Sequence, residues 1–256
     1  MTSTDKLGPM RKTGMERALN NLRNAWDQRA RENARHFIAT GQTDWSDEEF
    51  YASGETAVAH FILSDLENIC QGRDPASMRV LEIGCGAGRV TRALARRFGE
   101  VHAVDISGEM VRLARATLAD YPNAHVYQNS GADLSVVPDV PFDFVFSTIV
   151  FQHIDSHAII ESYMREVCRL LRPGRLFKFD VNGAIAAPLS LAGRVIAAVA
   201  RTAVPKYRRI HRGHRNWVGR PYTPADAQAL ADKTGFELRY QDGAGSQNYW
   251  LWLFKR

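Results

Sequence analysis

Val80-Leu81-Glu82-Ile83-Gly84-Cys85-Gly86-Ala87-Gly88 is the stretch that decides the fold. An apolar run of strand length ends in glycines, and Val90–Phe98 beyond them has helical patterning. A glycine loop between a strand and a helix is the context in which such a loop binds a nucleotide. Gly84 and Gly86 let the backbone turn sharply and approach a ligand, because no Cβ is in the way. The stretch therefore predicts a ligand-binding loop.

Two carboxylates accompany this loop. Glu82 precedes the glycines, where a carboxylate is poorly placed beside a pyrophosphate and well placed to face a sulfonium or an α-amino group. Asp105 ends the next predicted strand, where a carboxylate accepts both ribose hydroxyls of an adenosine. Ile106 and Met110 follow and are expected to flank the adenine.

Short apolar runs alternate with longer helical patterns along residues 78–234, which predicts βαβ units and a parallel sheet buried on both faces. The last two strands, joined by the Gly- and Ser-containing Asp242–Gln247, are compatible with a hairpin that adds an antiparallel C-terminal edge strand. The fold class is thus α/β, a doubly wound and mostly parallel sheet. The predicted strands are Met78–Ile83, Val101–Asp105, Ala124–Tyr127, Phe142–Ser147, Arg175–Val181, Phe236–Gln241 and Tyr249–Phe254, and the later helices are Gly108–Ala119, Ser156–Leu171 and Thr223–Thr234.

The residues before Pro75 predict an N-terminal helical cap. A second helix is expected over Asp47–Cys70, with Gly54 as its weak point. We expect a disordered leader over residues 1–14, the cap over 15–74, and the binding domain over 75–256 with a lid insertion at 183–222. The first helix has one apolar face, formed by Met15, Leu19, Leu22, Trp26, Ala30, Ala34 and Phe37.

Composition limits the cellular setting and the kinds of site. Hydrophobic residues make up 45% and charged residues 24% of the 256 residues, as in ordinary globular proteins. The cysteines are Cys70, Cys85 and Cys168, a sparse and odd set that argues against disulfides and against a zinc site. We expect no metal and a cytoplasmic location.

Positive charge is concentrated in one segment. Val181–Ala225 holds eight of the 33 Lys and Arg residues and no acid, while the whole chain has a net charge of +5. Three interpretations stay open: a lid over an apolar or anionic acceptor, a transient membrane-surface contact through residues 184–220, or a solvated basic face. Nucleic-acid binding is disfavoured, because one patch is thin support.

These motifs together resemble the class I S-adenosylmethionine-dependent methyltransferases of the small-molecule type. The resemblance runs from about Arg79 to Val181, through the glycine loop, Asp105, Phe142–Ser147 and the turn Leu171–Gly174. It implies a Rossmann-like fold and S-adenosylmethionine as cofactor. Ser130 departs from the family, in which an Asp often contacts the adenine amine at this position.

The resemblance also implies roles for residues. The glycines would pack on the methionine part, Asp105 would hold the ribose, backbone at Gly131 and Ala132 would read the adenine edge, and Ser147 would offer backbone to the amino group. Trp45–Glu55 is a candidate lid, from which Tyr51 would touch the cofactor carboxylate. The expected cofactor-contacting set is Glu82, Gly84, Cys85, Gly86, Gly88, Asp105, Ile106, Met110, Gly131, Ala132, Ser147 and Tyr51.

His153 is the candidate catalytic residue, because it follows the fourth strand and histidine is the commonest general base. The alternatives are that it caps the next helix or contacts the cofactor. We expect methylation, on oxygen, of a small metabolite or a lipid- or sugar-like acceptor. Two rival functions stay open: a non-enzymatic lipid- or membrane-surface-binding protein with a methyltransferase-like core, and an NAD(P)-binding oxidoreductase.

Overall fold

The computed structural model describes residues 9–184 and 219–256, which form a seven-stranded sheet between layers of helices. The insertion predicted at 183–222 therefore lies almost wholly outside the described residues. The helices are α1 (Pro9–Ile38), α2 (Asp47–Phe61), α3 (Leu66–Cys70), α4 (Arg89–Ala95), α5 (Gly108–Thr117), α6 (His157–Leu170) and α7 (Pro224–Thr234). The strands are β1 (Arg79–Ile83), β2 (Glu100–Asp105), β3 (Ala124–Gln128), β4 (Phe142–Ser147), β5 (Leu171–Val181), β6 (Phe236–Asp242) and β7 (Tyr249–Lys255).

The strand order is β3-β2-β1-β4-β5-β7-β6. Strands β1 to β5 pair in parallel, and β7 runs antiparallel to both β5 and β6. The predicted doubly wound sheet and the C-terminal hairpin are confirmed, and the reversed strand β7 lies inside the edge strand β6. The order reverses between β1 and β4, so a crevice opens beyond their carboxyl ends.

The strands are apolar because both faces of the sheet are covered. All six residues of β4 are buried, and its bounds match the predicted Phe142–Ser147. The one acid inside this strand, Asp143, accepts the backbone N–H of Arg79 (3.0 Å) and contacts the guanidinium groups of Arg73 and Arg172. A buried carboxylate is tolerated here because cations and an N–H face it.

The predicted start of α7 is confirmed by its capping. Thr223 accepts the backbone N–H of Asp226, and the Asp226 side chain accepts the backbone N–H of Thr223 (2.9 Å). Pro224 occupies the first turn. A backbone N–H at this position has no acceptor within the helix, so its absence in proline costs no hydrogen bond. Gly235 ends the helix in the left-handed conformation (φ 87°).

Two expectations for the N-terminal helices are corrected. Helix α1 begins at Pro9, inside the expected leader. The helix expected over Asp47–Cys70 is interrupted after Phe61 by a 3-10 turn at Leu63–Asp65. The break has a cause in β5, because the buried Lys178 ammonium donates to the Phe61 carbonyl (2.6 Å) and to the Asp65 carboxylate (2.7 Å).

Gly54 is a packing contact and not a weak point of α2. It is buried, and a Cβ at this position would lie 2.3 Å from the carbonyl oxygen of Arg89, the first residue of α4. The two helices can approach so closely because this side chain is absent. Among the described residues, no helix is long and apolar enough to span a bilayer.

We predict that Gly54→Ala lowers the free energy of unfolding by about 1–3 kcal/mol, the usual cost of overpacking. The clash is with backbone, so it outweighs the gain of about 1 kcal/mol in helix propensity. Urea unfolding followed by circular dichroism measures the change. Gly41→Ala is the control, because the nearest atom to its Cβ lies 4.0 Å away, and equal stability of the two variants would contradict the prediction.

Candidate active site

A cleft lies beyond the carboxyl ends of β1 and β4, and contains about 920 Å³ of space, including solvent at its mouth. Its walls come from the loops after β1, β2, β3 and β4 and from α1. The predicted site residues that line it are Glu82, Gly84, Cys85, Gly86, Asp105, Ile106, Met110, Gly131 and His153.

The glycine loop requires glycine for two reasons. Gly84 (φ 79°) and Gly86 (φ 53°) both have the left-handed conformation, which other residues adopt at a cost. A Cβ at Gly84 would also lie 2.1 Å from Val150 Cγ2, and one at Gly86 would lie 2.8 Å from Ile38 Cδ1. The loop thus packs tightly against the turn after β4 and the end of α1.

Asp105 is fixed by backbone donors from two loops. One carboxylate oxygen accepts the N–H of Gly86 and the other accepts the N–H of Ser107, each at 2.9 Å. Burial raises the pKa of Asp105 to about 6, and the negative charge of Asp27 adds to this rise, while the hydrogen bonds oppose it. Each oxygen keeps a lone pair that can accept a further donor.

Glu82 and Cys85 lie deeper in the same wall. The buried Glu82 carboxylate accepts the Thr91 hydroxyl (2.6 Å). Burial raises its pKa to about 7, against the opposing effects of that hydrogen bond and of Arg89. Burial is the largest cause of the raised pKa of the Cys85 thiol, and the negative charges of Asp105 and Glu82 raise this pKa further. The thiol therefore stays protonated and is a poor nucleophile.

Helix α1 provides the cover of the cleft. Leu22, Trp26, Phe37 and Ile38 line it. The first three belong to the apolar face predicted for this helix, but that pattern did not indicate which surface the face covers. The helix changes direction at Asn33, where the backbone is extended and the side chain accepts the N–H of His36 (3.1 Å).

An acid fixes α1 to the rest of the domain. Asp27 accepts the Ser107 hydroxyl (2.6 Å) and the N–H of Glu109 (3.2 Å) at the start of α5. A carboxylate is favourable there because it satisfies free N–H groups and faces the positive end of the helix dipole. Arg31 forms an ion pair with Glu109 at 3.4 Å beside it.

The candidate lid Trp45–Glu55 does not line the cleft in this structure. This stretch forms the start of α2, which packs on α4 through Gly54 instead of folding over the cleft. The Tyr51 hydroxyl lies 3.3 Å from Thr117 Oγ1, and the ring packs under the Arg92 guanidinium. Tyr51 is therefore held between α4 and α5, outside the residues that line the cleft.

Three predicted residues shape the loops from outside the cleft lining. Gly88 is the N-cap of α4, and Ala132 is buried in the main core. The Ser147 hydroxyl donates to the Ile83 carbonyl (2.8 Å), which joins the ends of β4 and β1. The contacts of these residues with a cofactor stay a prediction.

His153 lies in a 3-10 turn after β4, where its backbone N–H donates to the Val150 carbonyl (3.0 Å). Its buried ring faces the edge of Trp26, with ring centroids 5.6 Å apart. The structure thus brings His153 to the cleft between the turn after β4 and the cover helix.

Three buried polar atoms among the lining residues have no hydrogen-bond partner: Asn129 Oδ1, Thr148 Oγ1 and Arg89 Nε. Buried polar groups are normally paired, so such atoms are candidates for contact with a ligand or with ordered water. No local sequence pattern indicates these unpaired atoms, because pairing depends on residues distant in the chain.

A cluster outside the cleft has the residue types of a metal site. His102 Nε2 lies 2.8 Å from a Glu100 oxygen, and its Nδ1 lies 3.2 Å from the Tyr127 hydroxyl, with His125 alongside. Both ring nitrogens of His102 already have hydrogen-bond partners. We therefore interpret this cluster as a satisfied polar network of the sheet.

Residues 80–174 match the sequence model of the family described as "Methyltransferase domain". This segment is similar to that family. It contains the glycine loop, Asp105 and His153, so the resemblance inferred from these motifs is confirmed.

Two named relatives match the chain in part. An enzyme of Xanthomonas axonopodis pv. citri named ubiquinone biosynthesis O-methyltransferase is 34% identical over 120 residues, 46% of this chain and 48% of the relative. A malonyl-[acyl-carrier protein] O-methyltransferase of Enterobacter lignolyticus is 34% identical over 112 residues, 43% and 41% of the two chains. The chain thus spans about half the length of the curated relatives it matches.

Solved structures confirm the fold. A magnesium protoporphyrin IX methyltransferase from Synechocystis PCC 6803 with bound SAH superposes with a TM-score of 0.63 at 15% identity, covering 93% of this chain and 100% of that one. A SAM-dependent methyltransferase from Aquifex aeolicus gives a TM-score of 0.53 at 15% identity, covering 83% and 100%. The Rossmann-like methyltransferase fold expected from the sequence is therefore shown.

We predict that affinity for S-adenosylhomocysteine falls as the pH is lowered through the pKa of Asp105. The ionised carboxylate can accept hydroxyl donors directly. The protonated form must first release its proton, and this deprotonation costs free energy of binding. With a pKa of about 6, the affinity at pH 5 should be about tenfold weaker than at pH 7.5. Calorimetry measures it. Asp105→Asn is the control, with a flatter profile expected, and equal wild-type affinities at the two pH values would contradict the prediction.

Proposed function

We propose that this chain transfers the methyl group of S-adenosylmethionine to an oxygen of a small acceptor. The observation that carries the proposal is the Asp105 carboxylate at the end of β2, which accepts the N–H groups of Gly86 and Ser107 beside the glycine loop, within the segment that matches a methyltransferase domain. A carboxylate so held is ready to accept both ribose hydroxyls. The match to a methyltransferase domain also favours this function over an NAD(P)-dependent one.

The residues of the cleft fit this cofactor. The unpartnered atoms of Asn129, Thr148 and Arg89 offer it hydrogen-bond acceptors and donors. Asp105 would hold the ribose, Ile106 and Met110 would lie beside the adenine, and the glycine loop would contact the methionyl part. When bound, S-adenosylmethionine supplies a methyl group already activated by its sulfonium, so the protein mainly positions the acceptor.

An oxygen acceptor also needs to lose a proton. His153 lies within the cleft lining, where the turn after β4 meets the cover helix. We assign to His153 either the removal of this proton or the hydrogen bond that orients the acceptor. Trp26, Ile149 and Ile154 give the same region apolar walls. The names of both relatives specify O-methylation, which supports oxygen as the methylated atom.

The basic segment Val181–Ala225 carries the choice of acceptor in this proposal. It begins at the end of β5, and two of its described residues, Asn182 and Gly219, are joined by a hydrogen bond (2.7 Å). A lid there would favour an anionic or apolar acceptor. A membrane-surface contact is the second candidate, favoured by eight bases without an acid. A reducing cytoplasm suits the sparse cysteines.

The test is methyl transfer itself. We expect wild-type protein incubated with methyl-labelled S-adenosylmethionine and fractionated metabolite extracts to label a small molecule at oxygen. Labelling that depends on added anionic vesicles would support the membrane-surface candidate. Tight binding of NAD(H), with no binding of S-adenosylhomocysteine, would overturn the proposal.

Asp105→Ala should weaken the affinity for S-adenosylhomocysteine at least about tenfold, because hydrogen bonds to charged groups contribute about 1.5–3 kcal/mol. Calorimetry at pH 7.5 measures the loss. Asp120→Ala removes an exposed carboxylate from the end of the same βα unit, so it should bind as wild type does. Unchanged affinity of Asp105→Ala would refute the ribose assignment.

His153→Ala should lower turnover about 10²-fold or more, as loss of a general base does, while S-adenosylhomocysteine affinity stays within about twofold of wild type. The exposed His60 provides a control in His60→Ala, which should keep full turnover. A loss of affinity with unchanged turnover at saturating cofactor would assign His153 to cofactor contact instead.

A further inference from the structure

We propose that Asp180 is a positioning residue that holds a strained turn, Thr148–Val150, in the wall of the cleft. This inference rests on the proposed function, because it assigns to the turn a role in cofactor binding. It concerns a residue that lies behind the cleft lining, on β5.

The carboxylate of Asp180 is buried in an apolar part of the sheet. The residue is 1% exposed and lies opposite Trp250 of the neighbouring strand β7. One oxygen accepts the backbone N–H of Ile149 at 2.7 Å, while the other has no hydrogen-bond partner. Burial raises the pKa of this carboxyl to about 7. A buried carboxylate with one partner is costly to the fold, which indicates a role outside stability.

The residue that Asp180 holds is itself strained. Ile149 has φ 59°, the left-handed conformation that a β-branched side chain rarely adopts. Gln71, the other such non-glycine among the described residues, is the C-cap of α3, where this conformation is common. Ile149 caps no helix; it is 42% exposed and lines the cleft. Such strain persists only where neighbours enforce it, and it concentrates at functional sites.

The strained turn connects the two halves of the site. Val150 packs so closely on the glycine loop that a Cβ on Gly84 would lie 2.1 Å from it. The Val150 carbonyl accepts the N–H of His153 at 3.0 Å. If the turn relaxed, both the glycine loop and His153 would lose a support, so the Asp180–Ile149 hydrogen bond fixes their relative position.

This arrangement predicts a specific rescue. Asp180→Ala removes the hydrogen bond, and the strained turn is then free to relax. Cofactor binding must then restore the turn, so the apparent affinity equals the intrinsic affinity multiplied by the fraction of molecules that keep the turn. Glycine adopts φ 59° without steric cost. Ile149→Gly should therefore keep the turn in place without help from Asp180.

The experiment measures S-adenosylhomocysteine affinity by calorimetry for wild type, Asp180→Ala, Ile149→Gly and the double variant. We expect Asp180→Ala to lose about tenfold in the wild-type background and less than about threefold in the Ile149→Gly background. Asp143→Asn is the matched control, a second buried aspartate at the amino end of β4. It should lower the melting temperature and leave the affinity unchanged.

Each outcome decides a different point. If wild type binds no S-adenosylhomocysteine, the proposed function fails and this inference fails with it. If wild type binds but Asp180→Ala binds equally well, only the inference is overturned. An equal loss in both Ile149 backgrounds would make Asp180 an ordinary core residue and would also overturn it. Should Asp180→Ala not fold, Asp180→Asn replaces it, with an expected loss of about threefold because a neutral amide is the weaker acceptor.

Discussion

The carboxylate of Asp105 is the contact on which the arrangement of the site depends. Its two oxygens accept N–H groups from Gly86 and Ser107, so one side chain fixes the loop after β1 relative to the loop after β2. Ser107 continues the connection, because its hydroxyl donates to Asp27 of α1. The glycine loop, the start of α5 and the cover helix thus share one line of hydrogen bonds, and a ligand bound at Asp105 contacts the point where they meet.

Sheet topology explains why this line lies where it does. The order of strands reverses between β1 and β4, and the chains leaving them diverge to opposite faces of the sheet. The Ser147 hydroxyl closes the bottom of the gap by donating to Ile83. The helix α1 closes the top with Leu22, Trp26 and Phe37. The floor of the cleft is therefore formed by the joined ends of β1 and β4, and its cover is formed by apolar side chains of α1.

Local patterns in the sequence predict what local physics controls. Phe142–Ser147 is buried on both faces, so its apolar run predicts the strand to the residue, and the glycine loop follows from conformations that only glycine adopts freely. Local sequence patterns do not predict contacts between residues that are distant in the chain. The helix break after Phe61 depends on Lys178, over a hundred residues away, and the apolar face of α1 predicts burial without indicating that it covers the cleft. The packing of Tyr51 against Arg92 and Thr117 is likewise a long-range contact that no local pattern indicates.

Carboxylates at the two ends of the sheet have different hydrogen-bond and charge partners. At the amino end of β4, Asp143 meets Arg73 and Arg172, so the chain supplies its own cations. At the carboxyl ends, Asp105 and Asp180 accept only backbone N–H groups, and burial raises both pKa values. An anion left without a cation is costly to a fold, and a positively charged ligand reduces that cost when it binds. Charge at this end of the sheet therefore favours a cationic ligand such as a sulfonium cofactor over an anionic dinucleotide, an argument independent of the glycine spacing.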